Sequence, residues 1–139
     1  MPIYDLEAAF DTQQLLTLEY AKKMHFSQKE KNGLYILRYI KDFIRDDNIA
    51  TLGLLRSVIT DGNKVICFSP PKSIRCREFT DKYAPTESVI ENYIEGTMIN
   101  CYYYEDKWNF STRGSIDATN KFYHNSVLNF QAMFLEALE

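Results

Sequence analysis

LLRSVITDGNKVICFS, residues 54–69, decides the fold class. Its two halves, Leu54 to Thr60 and Lys64 to Ser69, carry apolar residues at a period of two, the spacing of a strand with one side on a core. Asp61-Gly62-Asn63 stands between them. Asp and Gly tolerate the positive φ that tight turns demand, so the stretch predicts an antiparallel hairpin. Pro70-Pro71 ends its second strand.

Toward the C-terminus, Ser73 to Tyr83 is charged and reads as a short helix, and Pro85 reopens a loop. Val89 to Glu95 and Thr97 to Tyr104 read as β, with Gly96 at a bend. Glu105-Asp106-Lys107 is a turn. Trp108 to Thr112 alternates again, with Trp108 and Phe110 on one face, until Arg113-Gly114. The last element is a helix that Asn125 or Ser126 caps, with Val127, Phe130, Phe134 and Leu138 along one side. Toward the N-terminus, Leu34 to Ile40 reads as a strand and Lys41 to Asn48 as a charged connection. The first thirty residues read as helical, with Asp11 as a cap and Leu15, Leu18 and Tyr20 or Ala21 on one face. Polar Ser27 to Asn32 break that pattern, and Gly33 punctuates it. These readings predict one α+β domain over residues 1–139 with a mainly antiparallel sheet: a helical part at 1–32, the sheet at 33–118 and a C-terminal helix at 119–139.

The chain of 139 residues is long enough for one core and too short for two ordinary domains. Its formal charge of −3 argues against a protein that coats nucleic acid backbones; only a local basic groove would do that work. Ten Tyr, nine Phe and one Trp argue against disorder. Cys67, Cys76 and Cys101 show no CxxC spacing, and His25 and His124 lie far apart, so no zinc site is expected and the thiols read as reduced. No signal peptide or membrane span is legible. An intracellular, cytoplasmic location is therefore expected, or host cytoplasm or virion for a viral chain.

The common catalytic signatures are missing: there is no GxGxxG, HExxH or GxSxG and no Walker-type loop. One constellation rises above that background. It consists of Arg56-Ser57-Val58-Ile59, Ser69-Pro70-Pro71-Lys72, Tyr93-Ile94-Glu95-Gly96-Thr97-Met98-Ile99 and Ser111-Thr112-Arg113-Gly114-Ser115-Ile116. Taken singly, each piece has a plain reading: Glu95-Gly96 is a common strand end, Arg113-Gly114 a turn, and Lys72 a surface loop residue. Arg56 in an apolar strand is less plain, because a charge there must reach solvent or a partner. The run Tyr102-Tyr103-Tyr104 offers rings for stacking bases, but strand alternation lets at most two share a surface.

In order and spacing the four pieces, within about residues 50 to 118, resemble the front half of the adenylation domain of ATP-dependent RNA ligases, within the covalent nucleotidyltransferases. The resemblance implies that family's fold and a site in which a lysine attacks the α-phosphate of ATP, with Mg as metal. Carried over by motif, Glu95 takes the acidic position, Gly96 the glycine that lets backbone approach a nucleotide, and Arg113 the ribose- and phosphate-side cation. Arg56 and Lys72 take the upstream basic positions, and the family reading requires Arg56, Lys72, Glu95 and Arg113 to converge on one cleft. Tyr93 stands where the family has its nucleophilic lysine, and a phenol is a poor replacement for an amine. The chain also ends at Glu139, before the family's later motifs.

The expectation is thus a catalytically degenerate RNA-ligase-like domain with no catalytic residue or metal site of its own. It would act in binding or assembly and bind a nucleotide or RNA end weakly. An active nucleotidyltransferase fragment, completed from elsewhere, is the first alternative. A structural or interaction subunit of a viral particle or complex is the second. A domain that ends before the family's sheet is complete would leave strand edges and apolar surface unpaired. The Phe130, Phe134 and Leu138 stripe would cover some of it, and a protein partner or self-association the rest, with no membrane partner.

Overall fold

A computed structural model describes residues 5–92 and 94–139. Asn32 and Gly33 both take positive φ, 54° and 77°. They form the two-residue turn that joins β1 (Phe26–Lys31) to β2 (Leu34–Tyr39), in full antiparallel register from Phe26↔Tyr39 to Lys31↔Leu34. The polar stretch read as a break is therefore a strand. It lies at a sheet edge, where Lys29, Glu30 and Lys31 face solvent and only Phe26 is buried, so its pattern carries no core period.

The hairpin of residues 54–69 forms as expected, with shorter strands. β3 (Val58–Thr60) pairs with β4 (Val65–Phe68) around Gly62, whose φ is 94°. Asp61 supports the turn by accepting from the amides of Asn63 and Lys64. The segment before β3 is not strand, because Leu52 to Leu54 make a 3₁₀ turn that buries Leu52, Leu54 and Leu55. The sheet runs β1-β2-β3-β4, all antiparallel.

Both faces of this sheet are covered. Leu37, Tyr39 and Val58 face a cluster built with Phe10, Leu15, Tyr20, Ala21 and Leu55. Leu34, Ile36 and Ile59 face a second cluster with Tyr102 and Ile116. The N-terminal cover is less helical than expected. It holds α1 (Leu6–Ala9), capped by Asp5, and α2 (Leu18–Lys23), capped by Thr17. Asp11 braces a turn instead, with its carboxylate accepting from the Gln13 amide.

After β4 comes α3 (Cys76–Lys82), close to the helix expected at 73–83. The next stretch departs from expectation. None of the described residues within 89–95 is in a strand, and Val89, Ile90 and Ile94 are 84%, 94% and 88% exposed. β-rich composition makes no strand until it pairs, and none of these described residues pairs with another strand.

The second sheet is the hairpin of β5 (Ile99–Tyr104) and β6 (Lys107–Thr112), joined by Glu105 and Asp106, both at positive φ. Alternation divides the tyrosine run. Tyr102 is buried and Tyr104 packs beside it, while Tyr103 turns outward against Trp108. α4 (Phe130–Glu136) is capped by Asn129, not by Asn125 or Ser126. Its Phe134 packs on Phe110, whereas Val127 precedes the helix, Leu138 follows it, and both are exposed. None of the described helices is long and apolar enough to cross a membrane.

Candidate functional site

The β5–β6 hairpin is fixed to the main sheet by polar groups as well as by Tyr102. Asn100 donates through Nδ2 to Ser57 Oγ (3.3 Å) and Ser111 Oγ (3.1 Å), and all three side chains are buried. A buried amide that satisfies two buried hydroxyls fixes a register that apolar contact alone leaves loose. Ser57 follows Arg56 in the chain, and Ser111 stands two residues before Arg113. The same contact therefore sets the positions of two cations.

Those cations open on a cleft of about 700 Å³ between the first sheet and the hairpin. Arg56 lines it from the approach to β3, Gly96 from the approach to β5, and Arg113 from the end of β6. Three more cations line it that the motifs did not single out: Lys29 and Lys31 from β1 and Arg38 from β2. Strand register explains their meeting. Lys29 is opposite Ile36 and Lys31 opposite Leu34, so both lysines share a sheet face with Ile36 and Arg38.

Five cations stand against two carboxylates, Glu30 and Asp117, in a chain that is acidic as a whole. Thr97, Thr112, Ser115 and Asn120 add neutral hydrogen-bonding groups to the wall. Arg113 is aimed by packing. Its guanidinium carbon lies 4.6 Å from the centre of the Tyr39 ring, and its Nε is buried without a hydrogen bond among the described residues. A planar guanidinium held on a ring presents its remaining N–H donors in a fixed direction, which suits a tetrahedral oxyanion. Gly114 keeps room for Arg38: a Cβ there would lie 2.8 Å from Arg38 Nη1.

The two carboxylates are already engaged. Glu30 accepts from the Gly33 amide at 2.9 Å. Asp117 pairs with Lys31 and accepts from Ser115 Oγ (3.0 Å), Thr119 Oγ1 (2.7 Å) and the Thr119 amide (3.3 Å). Partial burial pushes the Asp117 carboxyl up, but the Lys31 ammonium and the Thr119 and Ser115 donors outweigh it and hold it well below the usual carboxylate range. Below this wall, burial pushes the Tyr102 phenol up to about 12, and its hydroxyl donates to the Ile116 carbonyl at 3.3 Å. The donor set fits phosphate oxygens better than a bare divalent cation. Among the described residues no group of three or more His, Cys, Asp and Glu stands close enough to hold a metal.

Of the positions named from the motifs, Arg56, Gly96 and Arg113 meet at this cleft. Lys72 and Glu95 are not among its lining residues. Lys72 is turned onto its own loop: its amide donates to the Gly53 carbonyl, and Nζ donates to the Ser73 carbonyl at 3.1 Å. Glu95 is exposed beside Gly96. Tyr93, the position of the family's nucleophile, lies outside the described residues. The signal for these cations was present in the sequence as Lys29 and Lys31 alternating along one strand with Arg38 on the next, but it needed β1 to be recognised first.

Family models, curated proteins and solved structures were all compared with the chain, and none matches.

Proposed function

We propose that this domain recognises a phosphorylated ligand, a nucleotide or an RNA end, and that it does so as a binding or assembly module of RNA-ligase-like character without nucleotidyl transfer. The observation that carries the reading is the meeting of Arg56 and Arg113 with Lys29, Lys31 and Arg38 around one cleft in an acidic chain. Arginines with their donors held in place bind phosphate in a bidentate way, and lysines add charge. Among the described residues, nothing lies within 4 Å of where a Cβ on Gly96 at the lip would stand, which leaves backbone open to a ligand. The resemblance in sequence adds support, since three of the five carried-over positions share the cleft. It carries no enzyme reading, because Tyr93 replaces the amine on which that chemistry depends.

Two measurements test this reading. Calorimetric titration with ATP and with a 5′-phosphorylated oligoribonucleotide is expected to show salt-sensitive binding that Arg113→Ala weakens about ten-fold or more. Mass spectrometry after incubation with ATP and Mg is expected to show the unmodified chain. Binding indifferent to Arg56→Ala and Arg113→Ala removes the proposal, and a covalent AMP adduct replaces it with the enzyme reading. A second reading, a docking subunit, is favoured by the exposure of Val89, Ile90 and Ile94 in the segment that leads to Gly96. Light scattering that shows concentration-dependent association, abolished by Ile90→Glu, is its test.

A further inference from the structure

Among the described residues, Asp117 is the one carboxylate that both lines the cleft and pairs with one of its cations. The pair it makes with Lys31 joins residues 86 positions apart, from the end of β1 to the loop after β6. Both side chains keep substantial solvent exposure, 49% and 30%, so the pair is neither sealed nor essential to the core. Thr119 and Ser115 hold the carboxylate from the other side, so its position does not depend on Lys31 alone.

Beyond the bridge lies a smaller pocket of about 320 Å³, walled by Tyr102, Tyr104, Trp108, Phe110 and Gln131. Lys31, Ile116 and Asp117 line both spaces. The ion pair thus stands in the partition between a basic chamber and an aromatic one.

We propose that Asp117 is a built-in competitor for the phosphate site: it holds Lys31 as a resident anion, and a polyanionic ligand must exchange that pair for its own contact with Lys31. The inference rests on the phosphate-binding reading and adds to it the reason for weak affinity and the residue that sets it. The charge of Asp117 acts twice, by occupying Lys31 and by repelling the incoming anion. A unit charge about 4 Å away changes a binding constant by roughly five-fold even in a water-like dielectric, and by more in a recessed site. Glu30 differs. Its carboxylate turns to the Gly33 amide and forms no ion pair among the described residues.

The test is titration of the full chain with tripolyphosphate at low ionic strength, with folding checked by circular dichroism. Asp117→Asn keeps the shape and the oxygen that Thr119 and Ser115 address, and it is expected to tighten binding about five-fold or more. Raising the salt to about 0.5 M is expected to erase most of that gain. Glu30→Gln is expected to give less than half of it. In a Lys31→Met background the Asp117→Asn gain is expected to shrink, since there is no longer a lysine to release. Binding by Asp117→Asn where the native chain shows none also supports the proposal. A native chain that binds, with Asp117→Asn equal or weaker, overturns the competitor role and leaves the phosphate reading standing. Equal gains from Glu30→Gln and Asp117→Asn reduce the effect to bulk charge and also overturn it. No binding by any folded variant overturns both readings.

Discussion

Adding one methyl group at Gly114 is a direct test of the cleft. Gly114 is not among the glycines with positive φ, so alanine fits its backbone. The new Cβ would stand 2.8 Å from Arg38 Nη1, against the 3.4 Å at which ordinary contact begins. The atom it meets is the far end of a long side chain, so Arg38 is expected to swing away while the fold stays. The cost to stability is small, within about 0.5 kcal/mol, and alanine offsets part of it by restricting the unfolded chain. The cost to binding is larger. A charge-assisted hydrogen bond contributes about 1.5–3 kcal/mol, and the open cleft argues for the lower figure, so tripolyphosphate affinity should fall about ten-fold. Calorimetry supplies the affinity and a thermal melt the stability. Gly96→Ala is a control for the melt alone, since among the described residues nothing lies within 4 Å of where its Cβ would stand and folding should be indifferent to it. Unchanged affinity in a folded Gly114→Ala variant would refute the placement of Arg38 in the ligand's reach. A melting point that collapses would refute the claim that Gly114 serves the cleft and not the fold.

Three further outcomes follow from the packing. Asn100→Ala leaves the buried hydroxyls of Ser57 and Ser111 without their shared donor and should cost about 2 kcal/mol or more, a fall of roughly 6–10 °C in Tm; a fall under about 2 °C would contradict the bridge. The Asp117 carboxyl is held below its usual range in the folded chain, so its contribution to stability is full above about pH 4 and lost as pH falls through the folded value. The stability difference between native and Asp117→Asn chains should therefore be level from about pH 7 to 5 and shrink below about pH 4, and a difference that grows on acidification would reverse the sign argued here. Leu37→Ala removes a fully buried side chain from β2 and should cost about 2–5 kcal/mol in denaturant unfolding, whereas Leu138→Ala, at an exposed site, should cost about 0.5 kcal/mol or less.

Much of the local structure follows from turn chemistry and short-range periodicity. Asp61-Gly62 specifies the β3–β4 hairpin because its carboxylate and its positive φ act within four residues. The same logic was available at Asn32-Gly33, among the strongest two-residue hairpin signals, yet the polar strand before it resembles a loop when only apolar spacing is counted. The alternation of Tyr102, Tyr103 and Tyr104 was likewise determined by strand geometry alone. Other features depend on partners far away in the chain. Val89, Ile90 and Ile94 are strand-forming residues and are exposed, because composition makes no strand until a segment pairs, and none of these three does. Lys72 carries the charge that the motif reading assigned to the cleft, but its loop bonds to Gly53 and turns the ammonium away. Lys29 and Lys31 reach the cleft only because the register of β1 on β2 puts them beside Arg38, and Asp117 restrains Lys31 only because the hairpin docks across that face. Sequence determines which backbone turns and which faces are apolar, since those depend on neighbours within a few residues. Which charges share a cleft depends on pairing and docking between segments, and only the tertiary structure decides that.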